Sequence, residues 1–172
     1  MALIVETGSV VTSANSYASL AFADAYFEFD SNALVPWTAL SDESKEQYLQ
    51  FATRVLDQKV QWKGRKTKET SPLRWPRTGV YDRDNIAVDS DEIPDQLKEC
   101  VCEMAKYLMS GEDPTIGQGA EYIKKVVVDV VEVEYQDGSA QTSLPSILRN
   151  LLRGLGTYPS ALGNMFARIV KA

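Results

Sequence analysis

Asp82, Asp84, Asn85, Asp89, Asp91 and Glu92 crowd one short stretch, a density of oxygen ligands that invites a calcium-binding loop. The spacing does not supply one. The fifth position of such a loop falls on Ile86, the glycine of its sharp turn on Ala87, and its bidentate glutamate on Ile93. A solvated acidic turn is the better reading. Cys100 and Cys102 stand at i,i+2, which on a helix points them to different faces, too awkward for a disulfide or a shared metal. They read as thiols in a reducing cytosol. The chain holds no histidine, which removes the commonest general base, the commonest metal ligand and every Ser-His or Cys-His nucleophile. Gly117 and Gly119 precede a strand-like run and lack the Lys-Ser/Thr of a phosphate loop. Paired carboxylates sit on exposed helix faces or beside turns. The expectation is a protein that is not an enzyme, with no catalytic, cofactor-binding or metal-binding residues.

The chemistry that remains is ionic and aromatic. Between Lys59 and Arg83, eight Lys/Arg face only Glu69 and Asp82, a local charge of +6 in a chain of net charge −6, so the remainder carries −12. With Trp62, Trp75 and Tyr81 interleaved, this segment could track single-stranded nucleic acid by stacking. It could equally meet the acidic flank of an identical subunit, a head-to-tail contact whose closed outcome is a ring. The third reading is structural: the tryptophans anchor the loop on the core and the basic side chains solvate it. An acidic average surface, with a pI near 4.8, repels a phosphate backbone and disfavours a general duplex binder.

The elements that must position these residues follow from periodicity. Ser19 is a candidate N-cap for a helix carrying Leu20, Ala23, Tyr26 and Phe27, with Tyr17 packing back on its first turn and Asn32 and Pro36 ending it. Ser41, followed by Asp42 and Glu43, opens a second helix with Tyr48, Phe51, Ala52, Val55 and Leu56 on one stripe. Pro94 suits the first position of a third, with Leu97, Val101, Met104, Ala105 and Leu108 inward and Gly111 as the stop. Pro145 opens a short fourth helix, closed by Gly154 and Gly156. The expected helices lie near 19–30, 41–59, 94–110 and 145–153. Leu3 to Val11 reads as an extended arm, and the valine-rich run near 123–135 as a strand ending at the Asp137-Gly138 turn. From Lys59 to Asp91 periodicity vanishes, over a length unusual for a structureless connection.

At 172 residues, with 44% hydrophobic and 24% charged residues, the chain has the composition of one soluble globular domain able to bury about 70% of its unfolded surface. No apolar run suits a signal peptide or a membrane span, so a soluble protein with no membrane partner is expected. The fold class expected is mainly α: a small helical bundle with a long inter-helix loop, a β-strand or hairpin element and an extended C-terminal tail. The division expected is a domain over 1–157 and a docking tail over 158–172.

Several segments together resemble a known family. They are Ala14-Asn15-Ser16-Tyr17-Ala18-Ser19, Ala23-Asp24-Ala25-Tyr26-Phe27, Ala52-Thr53-Arg54-Val55-Leu56-Asp57, Trp62-Lys63-Gly64-Arg65, Leu73-Arg74-Trp75-Pro76-Arg77-Thr78-Gly79 and Ile93-Pro94. In this order, over roughly Val11 to Tyr158, the chain resembles the head-tail adaptor (connector, head-completion) proteins of tailed bacteriophages. Some relatives carry a label of single-stranded-DNA-binding, primosomal-type proteins. The resemblance implies a structural protein of the virion neck, present in the host cytoplasm during assembly. It implies a ring of the chain itself, twelve subunits in typical members, beneath the portal. The further partners implied are the portal protein and a tail, tail-terminator or stopper protein, with DNA only passing through the channel and no cofactor. An acidic wall suits such a conduit, because repulsion lets the genome slide. The alternative function is single-stranded DNA binding of a replication or primosome type. On the adaptor reading, Arg65, Arg74 and Arg77 are expected to meet carboxylates of a neighbouring subunit, with Asp91, Glu92 and Asp95 among the candidates. Trp62, Gly64, Trp75 and Pro76 are expected to fix the loop's shape. Phe166, Ile169 and Val170, at helical i, i+3, i+4 spacing, are expected to dock on the portal or, alternatively, to fold back over the chain's own core.

Overall fold

The structure is a computed structural model that describes residues 2–111 and 144–158. Ser19 accepts a hydrogen bond from the Phe22 N–H and opens α1 (Leu20–Glu28), which buries Ala23 and Phe27. The chain does not then run irregularly through Pro36. It makes a second, five-residue helix, α2 (Leu34–Thr38), because a proline in the first turn of a helix removes no intrahelical hydrogen bond. Trp37 fastens α2 in place: its ring lies 4.7 Å from that of Phe27, and its indole N–H donates to Asp24 at 2.7 Å.

Ser41 caps α3 (Asp42–Lys59), whose buried stripe is Leu49, Ala52, Thr53, Val55 and Leu56. Beyond the loop, α4 (Asp95–Met109) begins one residue after Pro94, which occupies the cap position. All five apolar residues expected to face inward on α4 are buried. So are Cys100 and Cys102, because α4 is the central helix and packs against α1, α3 and the short α5 (Ser146–Leu151). Burial pushes both thiols well above the ordinary cysteine range. Gly111, at φ +85°, ends α4 as expected of a C-terminal glycine. The fold is thus mainly α, with five helices among the described residues and a few short strands.

Three of the four short strands lie in the loop and the fourth follows α5. β1 (Gln61–Trp62) pairs antiparallel with β4 (Gly156–Thr157), and β2 (Arg65–Lys66) with β3 (Arg77–Thr78). The strand expected near 123–135 and the docking residues Phe166, Ile169 and Val170 lie outside the described residues, as does the 158–172 tail beyond Tyr158.

The N-terminal arm departs from the extended form expected for Leu3 to Val11. Glu6 is buried, and its carboxylate accepts hydrogen bonds from the backbone N–H groups of Gly8, Val10 and Val11, each at 2.9 Å, which curls the chain around it. Gly8 adopts φ +105°, and a Cβ there would stand 1.8 Å from the Asp91 carbonyl oxygen. Glu6→Gln sets an amide NH2 against backbone N–H groups and is expected to cost about 1–3 kcal/mol in urea unfolding. Unchanged stability would show that the carboxylate does not hold the arm.

Candidate interaction site on the inter-helix loop

The loop from Val60 to Asp91 is built inward before it presents anything outward. Trp75 is fully buried and Trp62 half-buried, their rings edge to face at 5.9 Å between centroids. Gly64 has φ +64°, and a Cβ there would lie 2.3 Å from the Thr78 carbonyl oxygen, so the turn between β1 and β2 needs a residue without a side chain. Pro76 is buried and follows Trp75 through a cis peptide bond. The four residues expected to shape the loop are brought together.

Arg77 does not reach outward. It is only 9% exposed, and its guanidinium donates to the carbonyl oxygens of Lys63 (Nε, 2.5 Å), Arg74 (Nη1, 3.0 Å) and Gly64 (Nη2, 2.8 Å). The expectation that Arg77 meets a neighbouring subunit is corrected on this point. Its donors are engaged by loop carbonyls that β pairing leaves unsatisfied, so it clasps the two arms of the loop. Arg65 and Arg74 are exposed, as are Asp91, Glu92 and Asp95; Asp95 forms an ion pair with Lys98 at 2.7 Å.

Tyr17 and Asp57 hold the loop against the bundle, a partnership that no spacing revealed. Tyr17 does not pack back on the first turn of α1 alone. Its hydroxyl donates to Asp57 Oδ1 at 2.7 Å and accepts from the backbone N–H groups of Arg74 (3.0 Å) and Trp75 (3.2 Å). Asp57 Oδ2 also accepts from the Arg74 N–H at 3.0 Å. Burial pushes the Tyr17 phenol well above its ordinary range, which keeps the proton it donates; burial also raises the Asp57 carboxyl, opposed by these hydrogen bonds. The one available signal was the sequence order of a tyrosine before a cap and an aspartate late in a helix, neither of which reveals a partner in the loop.

The acidic run is a turn that satisfies itself. Asp82 Oδ1 accepts from the N–H groups of Asp84 (2.9 Å) and Ile86 (2.8 Å), Asn85 takes the left-handed conformation, and Val88 N–H returns to Val80 O. Among the described residues no group of three or more His, Cys, Asp or Glu side chains could hold a metal ion, and no helix is long and apolar enough to cross a membrane.

What faces solvent is therefore a braced ledge. It carries Lys63, Arg65, Lys68 and Arg74, with the acidic residues Asp89, Asp91 and Glu92 along its outgoing strip. Such a surface can form ion pairs and hydrogen bonds, and Trp75 is withdrawn from it while Trp62 stays partly exposed. The family model described as "Putative DnaT-like ssDNA binding protein" matches residues 1–172. No curated protein and no solved structure matches the chain.

Proposed function

The chain belongs to this DnaT-like family, and from the arrangement of its loop we propose that it is a non-catalytic head-tail adaptor of a tailed bacteriophage. On this reading it forms a ring of identical subunits, twelve as in the family it resembles, below the portal in the neck of the virion. The ring joins the portal to a tail or stopper protein and lines the channel through which DNA leaves. The observation that carries the reading is the state of the loop. Trp75 and Arg77, one of the segment's tryptophans and one of its arginines, are spent on bracing it, which suits a rigid protein-contact ledge. The net charge of −6 suits a channel wall that must not retain DNA.

Single-stranded DNA binding is the second reading. The family's description favours it, and the comparisons name no adaptor. Its remaining assets are the exposed basic side chains of the ledge and the half-exposed ring of Tyr81. One pair of measurements separates the two. Light scattering on the purified chain is expected to give the mass of a multi-subunit assembly, and fluorescence titration with an oligonucleotide at two salt concentrations is expected to show no binding. A monomer whose oligonucleotide affinity falls with salt, with a log–log slope of about −0.7 per phosphate contact, would replace the adaptor reading with the second one.

A further inference from the structure

Along α3 runs an open groove of about 680 Å³. Phe51 and Arg54 line it from the helix, and Lys66, Leu73 and Arg74 from the loop. The Arg54 guanidinium lies 4.8 Å from the centroid of the Phe51 ring, and the Lys66 ammonium donates to the Ser71 carbonyl oxygen at 2.7 Å. None of these three cations forms an ion pair among the described residues. The one carboxylate in the lining, Asp57, already accepts from the Tyr17 hydroxyl and the Arg74 N–H. The groove is thus a concave surface that gathers three positive charges against the single carboxylate of Asp57, beside Phe51 and the nearly buried Leu73.

The same chain displays the complementary charge. From Ile86, which is 64% exposed, the strip runs through the exposed carboxylates of Asp89, Asp91 and Glu92. Its backbone is fixed to its own ledge, with the Thr67 hydroxyl donating to the Ser90 carbonyl oxygen at 2.8 Å, and its carboxylates make no ion pair with the groove of the same molecule. Groove and strip share no residue. A contact between them joins two different patches on two copies, the heterologous kind that can close into a ring.

The geometry points to the groove of Arg54, Lys66 and Arg74 as the socket for the strip Ile86 to Glu92 of a second copy. Ile86 seats against Phe51 and Leu73, and the three carboxylates answer the three cations. The assignment rests on the ring reading and names the surfaces that would make it. Charge alone supplies the register, since the two patches carry opposite sign on one otherwise acidic chain.

Charge exchange tests it on the full chain. Reversing the groove (Arg54→Glu with Arg74→Glu) and reversing the strip (Asp89→Lys with Asp91→Lys) are each expected to weaken self-association at least ten-fold by light scattering. Carrying all four substitutions in one chain, or mixing the two double variants, is expected to restore it. Arg54→Gln alone, at an exposed helix position, is expected to weaken association in the same direction and guards against a folding failure in the reversed chains. If the natural chain assembles and every variant assembles as well, the socket is wrong and the ring reading survives. If the natural chain stays monomeric, both fall. If the groove reversal abolishes binding of a fluorescent oligonucleotide and leaves association untouched, the groove is a nucleic-acid site and the proposal is overturned.

Discussion

Arg77→Met is expected to destabilise the protein by at least about 3 kcal/mol in urea unfolding. The substitution keeps much of the aliphatic stem and removes three hydrogen bonds to a charged donor, each worth about 1.5–3 kcal/mol and not fully additive. It also leaves the Lys63, Gly64 and Arg74 carbonyls without that partner in a partly buried place. Arg77→Lys is expected to recover little, since an ammonium is a point donor and cannot span carbonyls on both arms of the loop. A variant that melts like the natural protein but fails to assemble would return Arg77 to the subunit interface. This matters for any charge-reversal experiment: a reversal at Arg77 reports on the loop's integrity, whereas reversals at the exposed Arg54, Arg65 and Arg74 report on the surface.

Trp75→Ala is expected to cost about 3–5 kcal/mol, the range for truncating a fully buried aromatic. Its ring packs edge to face with that of Trp62, while its backbone is held separately, the N–H donating to the Tyr17 hydroxyl and the carbonyl oxygen accepting from the Ser71 hydroxyl at 3.3 Å. Trp75→Phe is expected to lose much less. The indole N–H has no hydrogen-bond partner among the described residues, so only packing volume is given up. Equal losses for the two variants would assign the site to the N–H instead of the ring. The readout is chemical denaturation followed by circular dichroism.

How much of this was legible differs by element for physical reasons. The stripes of α3 and α4 and the caps at Ser19 and Ser41 were legible, because a helix that buries one face repeats its apolar residues at 3.6 and its cap needs a side-chain oxygen. The loop anchors were legible as bulky residues in a polar segment. The direction of Arg77 was not. A sequence lists cations without saying which carbonyls the fold will leave unpaired, and Arg77 resembles Arg65 and Arg74 until β2 and β3 are paired. Glu6 was hidden for the same reason, its partners being amides only two to five residues away in a curl that no periodicity encodes. The short α2 was misread because Pro36 was weighed as a stop, when its place in the first turn makes it harmless. The groove could not be read at all: its wall comes from α3, the loop and the N-terminal arm, so it exists only once these are docked.

The pairing of β1 with β4 sets a timetable. The Lys63 N–H donates to the Leu155 carbonyl oxygen at 2.9 Å, and Gln61 and Trp62 lie opposite Thr157 and Gly156, near the other end of the described chain. A ribosome adding about 5–20 residues per second therefore leaves the first strand of the ledge without its partner for roughly five to twenty seconds after it emerges. Helices α3 and α4 can already be docked in that interval, since their contacts lie upstream. The ledge cannot be finished. Neighbouring nascent chains on one messenger thus meet with the bundle formed and the ledge incomplete, and any surface that depends on the ledge matures only after the late strand has been made.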